Sequence, residues 1–208
     1  RRRQRADGFF ASQRHEWDAN GAAIWTIAEH HRITGDEELL AHLLPAVRRG
    51  VGWIRRKRRE RRRNAPEVQG LLPPGISAEH LGPYDFYYWD DFWSLRGLLD
   101  AAWLLREADD EAGAREAEEV GEELRRSLFA SLEMTAERLG QRVMPAGPTR
   151  GFDAGMIGSL AACWPLNLLA PDDPWVSGSL DAIRDQFCIG DAFFQGISHT
   201  GLGTYLTL

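Results

Sequence analysis

Tyr84 to Trp93 reads YDFYYWDDFW, three aspartates among seven aromatic rings in ten residues. Carbohydrate recognition uses that mixture. An aromatic plane covers the apolar C–H face of a sugar ring, and a carboxylate fixes its vicinal hydroxyls through charge-assisted hydrogen bonds. Trp89 and Asp90 are adjacent and supply one of each, with Tyr88 and Trp93 placed to line the same pocket. One acid at a helix start is explained by the helix dipole, worth ~0.3–1 kcal/mol. Three acids among seven rings exceed that need. Paired aspartates also occur in magnesium sites, which want a further acid one turn on. The residues that follow Asp91, FWSLR, hold none, so no metal and no organic cofactor is expected.

Glycoside hydrolysis needs one protonated and one ionised carboxyl flanking the bond, about 5 Å apart for retention or about 6.5–9.5 Å for inversion. Glu79 sits beside His80 in the loop before the aromatic run, where nearby rings can raise its pKa by desolvation. It is the candidate proton donor, with Asp85 the second catalytic candidate. Trp17, Asp18 and Asn20 precede an earlier helix, as candidate sugar contacts or, for Asp18 and Asn20, as simple caps. Arg150 and Asp153, in TRGFDAG, can hold a hydroxyl or pair with each other. His199, in GISHTG, reads as a structural histidine.

The elements that position these residues read as helices in pairs. Apolar residues at helical spacing give a first helix from about Asn20 to Arg32 and a second from about Glu37 to Arg58, broken by TGD between them. A third starts inside the aromatic run and ends near Glu107, and a fourth carries Ala114, Ala117, Val120, Leu124 and Leu128. A fifth is expected at Ala154 to Leu169, a sixth at Trp175 to Phe187 and a seventh from Leu202. No segment alternates convincingly as a strand, and CIGDAFFQGISHTG reads as a loop. In each pair the first helix is aromatic or small and apolar, and the second is amphipathic. An all-round apolar helix is buried and an amphipathic one faces solvent. The expected fold class is therefore all-α, with about three hairpins whose first helices form an inner ring and whose long connections gather at one end.

That arrangement resembles the six-hairpin glycosidases, the (α/α)6 barrels of glucoamylases, trehalases and glycogen-debranching glucosidases. YYWDDFW is similar to the trehalase signature YxWDxY, and the resemblance puts Trp89 and Asp90 on the sugar in the cleaved subsite. The Gly-Gly-Arg that precedes that signature is absent, which argues against trehalose itself. HEWDANGAAIW resembles the substrate-binding RDGPALR of glucoamylases and implies Asp18 near a sugar hydroxyl. GLLPPGISAEHLGP resembles the glucoamylase loop that carries the general acid, and implies Glu79 in that role. HRITGDEELL matches a hairpin turn recurrent in the group. The resemblance implies a glycoside hydrolase acting on α-linked glucosides or oligosaccharides. It also implies that residues 1–208 form part of a single barrel domain, completed by further sequence or another chain.

Composition limits the alternatives. Over 208 residues the net charge is −6, and no apolar run reaches the ~18 residues of a membrane span. Two cysteines, Cys163 and Cys188, suggest neither a disulfide framework nor a zinc site and fit a reducing, cytoplasmic setting. Arg55 to Arg63, RRKRRERRR, holds eight basic residues in nine but no interleaved aromatics. It reads as a solvated helix end that complements the dipole, and nucleic acid is not the expected partner. The rival readings are a non-catalytic hairpin scaffold for protein partners and an α/α-toroid cyclase or lyase. The first would show a repeated consensus, and the second metal-type or Cys/His clusters on the loops.

Overall fold

The structure is a computed structural model that describes residues 3–60, 65–77, 84–197, 201–203 and 207. Its helices are α1 (Ala19–Thr34), α2 (Glu37–Lys57), α3 (Tyr88–Glu107), α4 (Glu111–Leu139) and α5 (Pro174–Phe187). Three of them start on an aspartate whose carboxylate accepts from a backbone amide of the first turn. Asp36 takes Leu39 N at 2.8 Å, Asp110 takes Gly113 N at 3.1 Å and Asp173 takes Trp175 N at 2.8 Å. Gly35 and Gly140 close α1 and α4 in the left-handed conformation, with φ of 62° and 69°.

Cross-helix partners fix the directions. Asp18 meets Trp89, Trp25 meets Trp93 and Arg32 meets Asp100, so α1 and α3 run parallel. Tyr88 meets Ser131 and Thr135 while Arg106 meets Glu118, so α3 and α4 run antiparallel. Arg48–Asp110, Arg55–Glu116 and Arg59–Glu123 step together along α2 and α4, which are parallel. Helix α3 is central, buried along most of its circumference against α1, α2, α4 and the segment Ala154–Ala162.

Parallel α1 and α3 touch backbone to backbone. A Cβ on Gly21 would lie 2.1 Å from the Trp93 carbonyl oxygen, and one on Gly97 would lie 2.6 Å from Gly21 Cα. Only glycine permits that approach. Around it the largest apolar cluster gathers Ile24, Ala28, Phe92, Leu95 and Leu98, all at 0% exposure.

Four expectations are corrected. The fifth helix is not α: Ala154–Ala162 is a 3₁₀ segment. Gly155 and Gly158 weaken helical order there, and Pro165 lacks the N–H and clashes with the preceding turn that an α-helix to Leu169 would require. CIGDAFFQGISHTG is not all loop. Cys188–Ile189 (β1), Ala192–Gln195 (β2) and Gly201–Leu202 (β3) form an antiparallel sheet in the order β1-β2-β3, with Cys188 opposite Phe193 and Phe194 opposite Leu202. Leu202 accordingly lies in a strand, so the seventh helix does not start there, although Thr207 is helical; residues 204–206 and 208 lie outside the described residues. The basic run is not merely solvated either. Arg55, Arg58 and Arg59 pair with Glu116 and Glu123 of α4, and the Arg58 side chain is only 5% exposed. Arg61 to Arg63 lie outside the described residues.

Gly21→Ala is expected to lower unfolding free energy by at least about 2 kcal/mol, since overpacking a core contact costs roughly 1–3 kcal/mol and here the obstacle is backbone. Gly121→Ala serves as the control. Its Cβ meets Leu98 Cβ at 3.6 Å, an ordinary contact, and helix propensity predicts a gain of about 0.5–1 kcal/mol. Urea unfolding of both variants checks the pair.

Candidate functional site

The three aspartates of the aromatic run each hold a different segment. Asp85 accepts from Thr149 Oγ1 at 2.7 Å and from Phe86 N at 2.8 Å. Asp90 Oδ1 accepts from Asp18 N at 3.1 Å, immediately before α1. Asp91 Oδ1 accepts from Leu72 N at 2.9 Å. The run is a junction: Asp85 takes the loop after α4, Asp90 the start of α1 and Asp91 the loop after α2.

The sugar-gripping role expected of Asp90 meets an obstacle in its burial. Asp90 is 1% exposed, and its Oδ2 is buried with no hydrogen-bond partner. Burial, then the charges of Asp18 and Asp91, push its pKa well above the usual carboxylate range. Asp91, also 1% exposed, is pushed up to about 7 by burial, opposed by the Leu72 amide and by Arg58.

Of the expected sugar-gripping residues Trp89 reaches open space, and Asp18 holds it. Trp89 Nε1 donates to Asp18 Oδ2 at 2.9 Å, and both residues are half-buried. Asp18 occupies the cap position of α1 yet makes no capping hydrogen bond, because its carboxylate is given to the indole. Burial raises its pKa and the indole N–H lowers it. The flank of Trp89 borders a cleft of about 800 Å³ between the 3₁₀ segment and α5. Behind it, buried Trp93 packs edge to face on Trp89 and Trp25, with centroids 5.6 Å and 5.4 Å apart.

Arg150 and Asp153 do meet. Arg150 Nη2 donates to Asp153 Oδ2 at 2.8 Å, while Asp153 Oδ1 caps the 3₁₀ segment at Gly155 N, 3.0 Å away. Tyr87, which is 2% exposed, feels the charges of both and of Asp85 and Asp90. Burial raises the Tyr87 pKa, Arg150 lowers it, and the three carboxylates raise it again. Tyr87 was not singled out from sequence. Of two consecutive tyrosines, the one that faces the acids depends on where α3 begins.

Four residues expected on the ligand lie elsewhere; one is Trp93, which is buried between Trp89 and Trp25 and does not line the cleft. Tyr88 is fully buried and faces α4, its hydroxyl 2.8 Å from Ser131 Oγ and 3.0 Å from Thr135 Oγ1, which makes it a tether between helices. Trp17 is 7% exposed, donates Nε1 to Pro74 O at 3.1 Å and packs with Phe9, Trp53 and Lys57. Asn20 is likewise structural, bonded to Phe10 N, Gly8 O and Gly50 O. Glu79 and His199 lie outside the described residues. Gly75 and Asp85 bond each other at 2.8 and 3.1 Å. Among the described residues no cluster of His, Cys, Asp and Glu is placed to hold a metal ion, and no helix is long and apolar enough to cross a membrane.

Asp90 and Asp91 hold protons more tightly folded than unfolded, so their contribution to stability is full at acid pH and is lost as pH rises through the folded values. For Asp91 that window runs from 3.8 to about 7. Thermal midpoints measured from about pH 5 to about pH 8 should therefore fall less in Asp91→Asn than in the wild type, because the amide keeps an acceptor for Leu72 and cannot ionise. Parallel curves would contradict the assignment.

No protein-family model matches the chain, and neither curated proteins nor solved structures give a match to it.

Proposed function

We propose that the chain is a sector of an α/α toroid that binds and hydrolyses glycosides, with Trp89 and Asp18 as the sugar-gripping pair. The observation that carries this reading is the indole of Trp89 held at its Nε1 edge by Asp18 while its flank borders the cleft. The ring supplies a plane for C–H surface, and the carboxylate, oriented by the indole, supplies acceptors for hydroxyls. The parallel course of α1 and α3, with amphipathic α2 and α4 parallel to each other behind them, supports the toroid. So does the meeting of the long connections with the starts of α1 and α3.

Hydrolysis by two carboxyls assigns Glu79 as proton donor. Asp85 is the second carboxyl within the chain, paired through the backbone with Gly75 and oriented by Thr149. Arg150 and Asp153 flank it and shape the polar side of the rim. Asp90 acts through Asp18: its carboxyl holds the Asp18 amide, so its place is positioning and not contact.

Isothermal titration with glucose, maltose and deoxynojirimycin tests the reading. Heat with the iminosugar is expected in the wild type. Trp89→Ala should weaken binding about tenfold or more, and Asp18→Asn by roughly 10- to 100-fold, the scale of one lost stacking plane and one charge-assisted hydrogen bond. Silence with every sugar would sink the proposal and favour a protein-binding scaffold.

A further inference from the structure

The cleft beside Trp89 differs in character from the rim. Its wall carries Ile157, Leu160, Trp164, Val176, Leu180 and Phe193, and among its described lining residues only Arg184 and Asp191 are charged. Trp164 and Leu180 stand 77% and 40% exposed. The volume of about 800 Å³ falls within the range of small-molecule sites, which combine an apolar wall with a few placed polar groups. Trp89 belongs to both regions: one edge is bonded to Asp18 and the flank lies in the cleft wall. A ligand seated on the Asp18–Trp89 pair therefore continues into apolar surroundings.

That continuity selects the substrate class. A second sugar unit in the cleft would set its hydroxyls against Ile157, Leu160 and Val176, and polar groups desolvated without partners are costly. An alkyl or aryl group would remove apolar surface on both sides from water. We infer that the glycoside gripped at the Asp18–Trp89 rim carries an apolar aglycone, which lies in the cleft between the 3₁₀ segment and α5. This inference rests on the sugar-binding reading of the rim.

Titration of the full chain with methyl α-D-glucoside and with octyl α-D-glucoside below its micelle concentration separates the two claims. Burial of even three methylenes, at about 0.8 kcal/mol each, makes the octyl glucoside roughly 50-fold tighter. Leu180→Glu, a change at an exposed position of α5, should remove that advantage and leave methyl glucoside binding unchanged, and Asp18→Asn should weaken both ligands. Equal affinity for the two glucosides would overturn the apolar-aglycone inference and leave the sugar site standing. Absence of binding by either would overturn the sugar reading itself. Equal affinity for octyl glucoside and for octanol, insensitive to Asp18→Asn, would overturn both, leaving a cleft that takes alkyl chains without sugar.

Discussion

The structure depends on the contact between α1 and α3 at Gly21 and Gly97. With no side chain between the two backbones, the helices lie level, and the residue before α1 comes beside the first turn of α3. Asp18 can then reach Trp89, and Asp90 can reach the Asp18 amide. A wider spacing would remove both bonds together. Parallel helices in contact also set like dipole ends side by side, which is unfavourable unless charge compensates. Here the half-buried Asp18 sits at the amino-terminal ends, beside the first turn of α3. At the other end, Arg32 in the last turn of α1 bonds Asp100 of α3, which Arg96 also holds. The distribution of charge along the pair follows from the closeness of the backbones.

The aromatic–acidic run answers two demands at once. Its aspartates are spent on backbone and side-chain groups of three incoming segments, which alone accounts for their number. The run is therefore first a junction. A site benefits from such a junction, since binding groups must be held by locked neighbours. Asp18 is fixed from behind by Asp90 and from the side by Trp89, and Trp89 is backed by Trp93. The buried, unpartnered Oδ2 of Asp90 is the cost of that arrangement, and the same burial pushes its pKa well above the usual carboxylate range.

How far the sequence discloses the fold varies by element, for physical reasons. Helices α2, α4 and α5 are legible because their signals are local: a capping aspartate at Asp36, Asp110 and Asp173, then apolar residues at helical spacing. The 3₁₀ segment was obscured by its composition, since AGMIGSLAACWPLNLL is apolar enough for a helix and the decisive residues are two glycines and Pro165. The β1–β2 hairpin had its cue in Gly190-Asp191 between Ile189 and Ala192, a short-turn signal outweighed by the glycine-rich surroundings. The pairing of Arg55, Arg58 and Arg59 with α4 was hidden because it requires knowing that α2 and α4 are parallel neighbours. The same limit applies to the site. Residue types singled out Asp85, Trp89, Asp90, Arg150 and Asp153, but not which of them meet or which are buried. Whether Tyr87 or Tyr88 faces the acids, and whether Trp17 lies in a pocket or a core, depends on rotations of about 100° per residue that composition does not encode.

The one incompletely covered face of α3 bears on what the region is for. Trp89, Arg96, Leu99 and Trp103 are its half-exposed residues between Tyr88 and Leu105, and they fall at steps of seven, three and four along one side of the helix. Plain helix–helix burial would favour aliphatic residues along such a stripe. This stripe carries two indoles and a guanidinium instead. Arg96 bonds fully buried Asp100, and Arg32 joins it from α1 while stacking on Trp103 at 4.4 Å. Flat amphipathic rings therefore alternate along this face with a buried carboxylate that two guanidiniums hold. The stripe leads from the interior up to Trp89, where Asp18 waits at its end, so the polarity that sets Trp89 apart continues along the helix that carries it.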